Sequence, residues 1–226
     1  MKKKNKISVI IRCKNEERWI GYSIQSILDN IKNPEIVVVD DNSNDNSIQI
    51  VKNFVHDPKL KIDSEKYAKI KIINIKDYSP GKSINEGVKA ATGNIIIIIS
   101  AHCVIKKINL KKSINDLKKF IGIFGNQIPV YNGSRLKKRY VWSHFVDEPV
   151  VNMFSELENR FFFHNAISIF NRQDLLKHPF DEHLSGKEDR YWINHHIKNK
   201  KKSLYDPSIE VEHHYTVAGN TWKGLA

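Results

Sequence analysis

The stretch NIIIIISAHCVI, Asn94 to Ile105, contains five consecutive isoleucines. A β-branched run with no polar residue on either side of the strand alternation reads as a strand buried on both faces, the usual state of a central strand in a parallel sheet. Such a strand hands its next residues, Ser100-Ala101-His102-Cys103, to the carboxyl edge of the sheet. In doubly wound α/β proteins that edge binds ligands.

Working outward from this strand, the first half of the chain alternates strand and helix. Ile7 to Ile11 is an apolar strand run, and Glu16 to Ile31 carries helical spacing at Trp19, Ile20, Ile24, Ile27 and Leu28. Glu35 to Asp40 is a second strand, bounded by Pro34 and the polar DDNSNDNS. Ser43 or Asp45 can cap the next helix, which runs through Phe54. Ile70 to Ile75, a helix over Ser83 to Ala91 and the strand Ile95 to Ile99 complete the series. The pattern predicts an α/β fold: a Rossmann-like, mostly parallel sheet with helices on both faces.

Three strand ends then share one rim: Arg12-Cys13-Lys14-Asn15-Glu16, Asp40-Asp41-Asn42-Ser43 and Ser100-Ala101-His102. Asp, Asn and Ser in such loops also cap helices, and capping accounts for Ser43 and Asp45. Two successive carboxylates, Asp40 and Asp41, exceed the single acceptor that a cap needs.

Composition narrows the class. The 226 residues, 40% hydrophobic with 7 prolines, suit one globular domain. No apolar run reaches the length of a membrane span. MKKKNKISVII begins as a signal peptide does, but SVII is too short for its apolar core and Arg12 and Lys14 interrupt it. Two cysteines, Cys13 and Cys103, build no disulfide framework and suit a reducing cytoplasm. The formal charge of +12 is spread along the chain, with dense tracts only at Lys2 to Lys6, Arg135 to Arg139 and Lys198 to Lys202. No nucleic-acid reading motif accompanies it, so no nucleic acid is expected. Anionic phospholipid or a phosphate-bearing substrate suits the charge better.

SVIIRCKNEERWIGYSIQSIL, EIVVVDDNSNDNS and GKSINEGVKAATGNIIIIISAH, followed by HNAISIFNRQDLL and PFDEHLSGKEDRYW, resemble glycosyltransferase family 2 and its GT-A fold. The resemblance covers residues 6 to 196 and implies one GT-A-like domain over 1–226. Residues 6–105 form its nucleotide-sugar-binding half, and 106–226 its acceptor-binding and catalytic-base half. It implies that Arg12, Lys14, Asn15, Asp40 and Asp41 hold the nucleotide, and that Lys82 and Asn85 close over the donor. A lysine there can bind phosphate as a point charge, or stand exposed at a helix start.

The family ends its fourth strand in Asp-x-Asp, which holds Mg²⁺ or Mn²⁺ against the diphosphate. Here Ser100 and His102 stand at those positions. Imidazole shifts metal preference from Mg²⁺ towards Mn²⁺. The expectation is therefore either a Mn²⁺-preferring site or a metal-independent one in which His102 meets the phosphate itself.

Within Gly186-Lys187-Glu188-Asp189-Arg190-Tyr191-Trp192, the resemblance makes Asp189 the general base for the acceptor hydroxyl, with Glu188 beside it. Both carboxylates also complement a helix N-terminus. Trp192 walls the sugar pocket or packs in the core. His213-His214 follows a strand over Ser208 to Glu212, and one of the pair returns to the diphosphate or metal. Successive strand residues point opposite ways, so at most one faces the site. His164-Asn165 opens a further strand facing donor or acceptor sugar. Tyr131 to Arg160, with Tyr140, Trp142, Phe145, Met153 and Phe154, reads either as an acceptor-shaping insertion that touches a membrane or as a pair of core-packing helices.

The expected function is an inverting, hexosyltransferase-like enzyme. It would move sugar from a nucleotide-sugar donor to a carbohydrate or lipid-linked acceptor in surface polysaccharide or glycoconjugate synthesis. Its expected place is the cytoplasm, including the inner face of the membrane. The alternatives are a non-catalytic nucleotide-sugar-binding relative and a sugar-1-phosphate nucleotidyltransferase. The latter needs a glycine-rich first loop, which Arg12 to Glu17 lacks.

Overall fold

The computed structural model describes residues 5–55, 69–136, 142, 144–217 and 219. Its elements run β1 (Ile7–Cys13), α1 (Ile20–Asn30), β2 (Glu35–Asp40), α2 (Ser47–Lys52), β3 (Lys69–Asn74), α3 (Pro80–Ala90), β4 (Ile95–Ser100) and β5 (Cys103–Lys107). There follow α4 (Leu110–Asp116), β6 (Gly122–Tyr131), β7 (Ser134–Arg135), β8 (Val150–Val151), β9 (Phe154–Ser155), β10 (Arg160–Phe161), β11 (Ile167–Asn171), α5 (Arg172–Lys177), α6 (Glu188–Lys198) and β12 (Ser203–His214).

One sheet has the order β3-β2-β1-β4-β11-β6-β12-β5, with β7 on β6 and β8 on β12, while β9 and β10 pair separately. β1 is parallel to both β2 and β4, β2 to β3, and β6 to β12. β11 runs antiparallel between β4 and β6, and β5 antiparallel along β12. The sheet is thus mostly parallel, as the strand–helix alternation implies.

The isoleucine run is buried on both faces. Ile95, Ile97 and Ile99 join Val9, Ile11, Ile20 and Ile24 in one core layer beside α1. Ile96 and Ile98 join Ile10, Val37, Ile84 and Val88 in the layer beneath α3. Each such burial is worth about 1.5–3 kcal/mol, and a one-residue slip of β4 would put Asn94 or Ser100 where an isoleucine is now buried.

The helix boundaries follow local chemistry. α3 begins three residues earlier than its apolar spacing suggests, because Ser79 caps it: its Oγ accepts from the Lys82 amide at 3.1 Å, and Pro80 fills the first turn. Gly81 is required there, since a Cβ would stand 2.3 Å from the Asp181 carbonyl oxygen. α1 begins at Ile20 rather than Glu16. Asn15 is left-handed (φ 52°), and the Glu16 amide donates to Ser47 Oγ at 2.7 Å, so the chain turns before it coils. β12 begins at Ser203, well before Ser208, and passes Pro207 through a register shift between Tyr205 and Glu210. Pro is tolerated in a strand at just such an irregularity.

Between Tyr131 and Arg160 the described residues form short strands and turns with no α-helix, which corrects the paired-helix alternative. Trp142, Phe145 and Met153 are buried there and Phe154 is exposed. Tyr140 lies outside the described residues, as do Lys2 to Lys4 and 137–139 of the basic tracts. Among the described residues no helix is long and apolar enough to cross a membrane.

Glu35 is a buried carboxylate that ties β2 to its neighbours. Ser8 Oγ donates to it at 2.5 Å, the Thr92 amide at 2.7 Å, and Lys71 Nζ stands 2.8 Å away. Burial opposes ionisation, but these donors outweigh it and hold the carboxyl down at about 2. A depressed carboxylate contributes stability above its ordinary value, and that contribution is lost as pH falls through about 2. Glu35→Gln should cost roughly 2–3 kcal/mol at pH 7, with the gap from wild type closing at pH 2. Urea denaturation at the two pH values would check this.

Candidate active site

Two loops form one side of the rim. Asp40, buried at the end of β2, accepts from the Ser43 amide at 3.1 Å and from Ser43 Oγ at 2.6 Å. Asn15 donates its amide to Ser43 Oγ and accepts from the Asn44 amide, both at 2.9 Å. These bonds stitch the loop after β1 to the loop after β2. Lys14 Nζ donates to the Asp41 carbonyl oxygen and lies 3.6 Å from Asp41 Oδ2. Arg12, Lys14, Asn15, Asp40 and Asp41 are therefore neighbours. Asp40 and Asn15 are occupied in shaping the loops.

The second side is the first turn of α6, entered through Lys187, which is left-handed (φ 61°). Glu188 Oε1 accepts from Arg12 Nη1 at 3.2 Å, tying α6 to the end of β1. Burial, with the Asp189 carboxylate beside it, pushes the Glu188 carboxyl up, and Arg12 pulls it back. Asp189 Oδ1 accepts from the Arg190 amide at 2.7 Å and from Arg190 Nη1 at 3.2 Å. Arg190 is held in turn by Glu158, whose Oε1 accepts from Arg190 Nε at 3.0 Å. Asp189 Oδ2 carries no hydrogen bond among the described residues.

The third side is the end of β4. His102 Nδ1 lies 2.8 Å from Glu16 Oε1, and its Nε2 lies 3.0 Å from His213 Nε2. His213 Nδ1 meets Gln127 Oε1 at 2.5 Å. Burial above all holds the His213 imidazole well below its ordinary value and so neutral. His214 points the other way, stacked on Trp19 with ring centroids 4.0 Å apart.

These sides enclose a cavity of about 580 Å³. Arg12, Lys14, Ser100 and His102 line it, and so do His164, Asn165, Glu188, Asp189 and His213. His164 Nε2 donates to the Gly125 carbonyl at 2.8 Å, and its Nδ1 accepts from the Ala166 amide, so it is neutral; burial lowers it to about 3. Asn165 accepts from Ser168 Oγ, while its buried Nδ2 has no partner among the described residues.

Other expected residues lie off this wall. Asn85 is spent on the α3 contact: its amide donates to the Phe180 carbonyl and to Glu182, and it accepts from the Phe180 amide. Lys82 Nζ donates to the Lys76 carbonyl at 2.7 Å. Trp192 is a core residue, stacked on Phe180, with its Nε1 donating to the His178 carbonyl at 2.7 Å. Conversely, Glu16, Gln127, Glu158 and Arg190 shape the cavity without having been assigned a role from sequence. Glu16 sits within the first rim stretch and Arg190 directly follows Asp189, so adjacency was their only signal. Gln127 and Glu158 carry none.

Ser100 and His102 bring no carboxylate, and the described residues hold no convergent set of three His, Cys, Asp or Glu ligands; a borderline ion such as Mn²⁺ would have the Nε2 atoms of His102 and His213, 3.0 Å apart, as its protein nitrogens. Mg²⁺ instead needs oxygen ligands in near-octahedral array.

Residues 8–178 match the family model described as Glycosyl transferase family 2. The chain is 25% identical to the poly(ribitol-phosphate) beta-glucosyltransferase of Bacillus spizizenii, over 94% of this chain and 32% of that protein. It is 33% identical to an uncharacterised glycosyltransferase of Nostoc sp., over 47% of this chain and 31% of that protein. Its fold superposes on the crystal structure of S. aureus TarS 1-349 with UDP-GlcNAc at TM-score 0.69 and 21% identity, covering 98% of this chain and 62% of that one. A mannosyltransferase from Pyrobaculum calidifontis with GDP-Man and Mn²⁺ matches at TM-score 0.64 and 14% identity, covering 96% and 59%. The fold is thus that of GT-A enzymes. The chain spans between 24% and 53% of the length of the curated relatives it matches.

Because Glu188 is buried against Arg12, removing the guanidinium strands a carboxylate. Arg12→Met should cost about 3–5 kcal/mol of stability, and Glu188→Gln in the same chain should recover most of it. Equilibrium denaturation of both variants tests the pairing.

Proposed function

The chain belongs to glycosyl transferase family 2, and we propose that it transfers a sugar from a nucleotide-activated donor to a carbohydrate or lipid-linked acceptor with inversion. One observation carries this reading: a single cavity joins the ends of β1 and β4 to the carboxylate pair that opens α6. We read residues 6–105 and 106–226 as the donor and acceptor halves of one GT-A-like domain.

In this reading Arg12 and Lys14 face the donor's phosphates, and Asp41, held near Lys14, accepts from base or ribose. Asp189 Oδ2 takes the proton of the acceptor hydroxyl as its oxygen bonds to the anomeric carbon. The bond from that carbon to the phosphate oxygen breaks on the opposite face, and its electron pair leaves with the nucleoside diphosphate. One displacement inverts the anomeric centre. Arg190 occupies Oδ1 and so fixes the rotamer of the base, which keeps the reacting atoms aligned. The unpartnered Nδ2 of Asn165 is a ready donor to a sugar oxygen.

A relative named for glucosylating poly(ribitol-phosphate) and a fold neighbour crystallised with UDP-GlcNAc support a nucleotide-sugar donor and a surface-glycan acceptor. The free, buried Cys13 and Cys103 are consistent with a cytoplasmic enzyme.

Asp189→Asn keeps shape while removing the base. Turnover of a matched nucleotide sugar should fall about 10²–10⁴-fold with donor affinity largely retained. Transfer near the wild-type rate would place the base elsewhere. Asp41→Ala should weaken nucleoside diphosphate binding by about 1.5–3 kcal/mol in calorimetry. Unchanged affinity in a folded variant would remove Asp41 from the site.

A further inference from the structure

We propose that Glu158, in the turn of the β9–β10 hairpin, is a positioning residue for transfer: through Arg190 it sets the direction in which the Asp189 carboxylate faces the cavity. The proposal rests on reading Asp189 as the general base.

The hairpin lies outside the main sheet, yet α6 holds it firmly. Asn194 of α6 accepts from the Phe161 amide at 3.1 Å, and its Nδ2 donates to the Phe161 carbonyl at 2.9 Å and to the Arg190 carbonyl at 2.6 Å. Ser155 Oγ closes the turn, accepting from the Glu158 amide at 3.2 Å and meeting His144 Nε2 at 2.7 Å. Leu157 at the tip faces solvent, but the Glu158 side chain turns inward, only 3% exposed, onto the cavity wall.

Between hairpin and base stands one guanidinium. Arg190 Nε donates to Glu158 Oε1 at 3.0 Å, and Arg190 Nη1 donates to Asp189 Oδ1 at 3.2 Å. The guanidinium carbon lies over the Phe162 ring, 4.6 Å from its centre, and that ring is stacked on His144. The Glu158 carboxylate is held as well, with Lys187 Nζ 3.7 Å and Arg160 Nε 3.8 Å from its Oε2. A guanidinium is planar and its N–H directions are fixed relative to one another. Arg190 therefore cannot swing towards one carboxylate without loosening the other. Asp189 alone would satisfy the charge of Arg190; the second carboxylate adds a fixed direction. With Oδ1 bound by Arg190, Oδ2 is the oxygen left for the acceptor hydroxyl. A shift of the anchor reaches that oxygen, and misplacement by about 1 Å costs roughly 10²-fold in rate.

A double-mutant cycle on the full chain tests this. Turnover of UDP-glucose, UDP-GlcNAc, GDP-mannose and dTDP-glucose is screened with water as the acceptor, whose proton the same base would take. With a donor that turns over, Glu158→Ala should lower kcat roughly 10–100-fold while KM stays within about twofold. Glu158→Gln keeps an oxygen for Arg190 Nε and should recover most of the loss. In an Asp189→Asn background, Glu158→Ala should cost nothing further, because the base it aims is gone. Should Glu158→Ala fail to fold, Arg190→Lys asks the same question. It keeps the charge but cannot span both carboxylates, so kcat should fall similarly, again with no added loss beside Asp189→Asn. Losses that multiply with Asp189→Asn, or Glu158→Ala at the wild-type rate, overturn this inference alone. Asp189→Asn at the wild-type rate overturns it together with the assignment of the base. No turnover of any donor overturns it together with the transferase reading.

Discussion

Burial of both faces of β4 is the constraint on which the rest of the molecule depends. Five isoleucines cannot face water on either side, so the strand must run through the middle of the sheet with helices above and below it. That position makes β1 its parallel neighbour and brings Arg12 into register with Ser100. Everything polar that follows β4 then emerges at the same edge as the loops after β1 and β2. The cavity is a consequence of where the core ends.

Across that cavity, charge is interleaved rather than separated. Arg12 meets Glu188, Lys14 lies near Asp41, and Arg190 sits between Asp189 and Glu158, while the Glu16 carboxylate meets the His102 imidazole. Arg12 and Arg190 each have a carboxylate within 3.2 Å, and buried Asp40 is satisfied by the Ser43 amide and hydroxyl instead, which is the condition for keeping such groups out of bulk water. The pairs also cross the molecule. Arg12 to Glu188 joins residues 176 apart in sequence, and His102 to His213 joins residues 111 apart. Strand ends from the first half and the opening turn of α6 are thereby held as one surface, and Oδ2 of Asp189 is left available on it.

The strand–helix alternation, the burial of β4 and the sharing of a rim by three strand ends could all be read from periodicity, because each depends on local spacing and on the demand that apolar residues leave water. The family motifs likewise point to Arg12, Lys14, His102, Glu188 and Asp189, and the fold brings all five to the wall of one cavity. The same local reasoning reached its limit where the outcome depends on contacts distant in sequence. Nothing local distinguishes an Asn85 that closes on a donor from one that bridges to Phe180, 95 residues away. Nor does it distinguish a Trp192 that walls a sugar pocket from one stacked against Phe180 in the core. Between His213 and His214, alternation alone required that at most one face the site. Only the pairing of β12 between β6 and β5 decided that it is His213. The roles of Glu16 and Gln127 were decided at the same level. A carboxylate and an amide acquire their meaning from the imidazoles they meet, and those meetings exist only once the sheet has brought four separate segments to one edge.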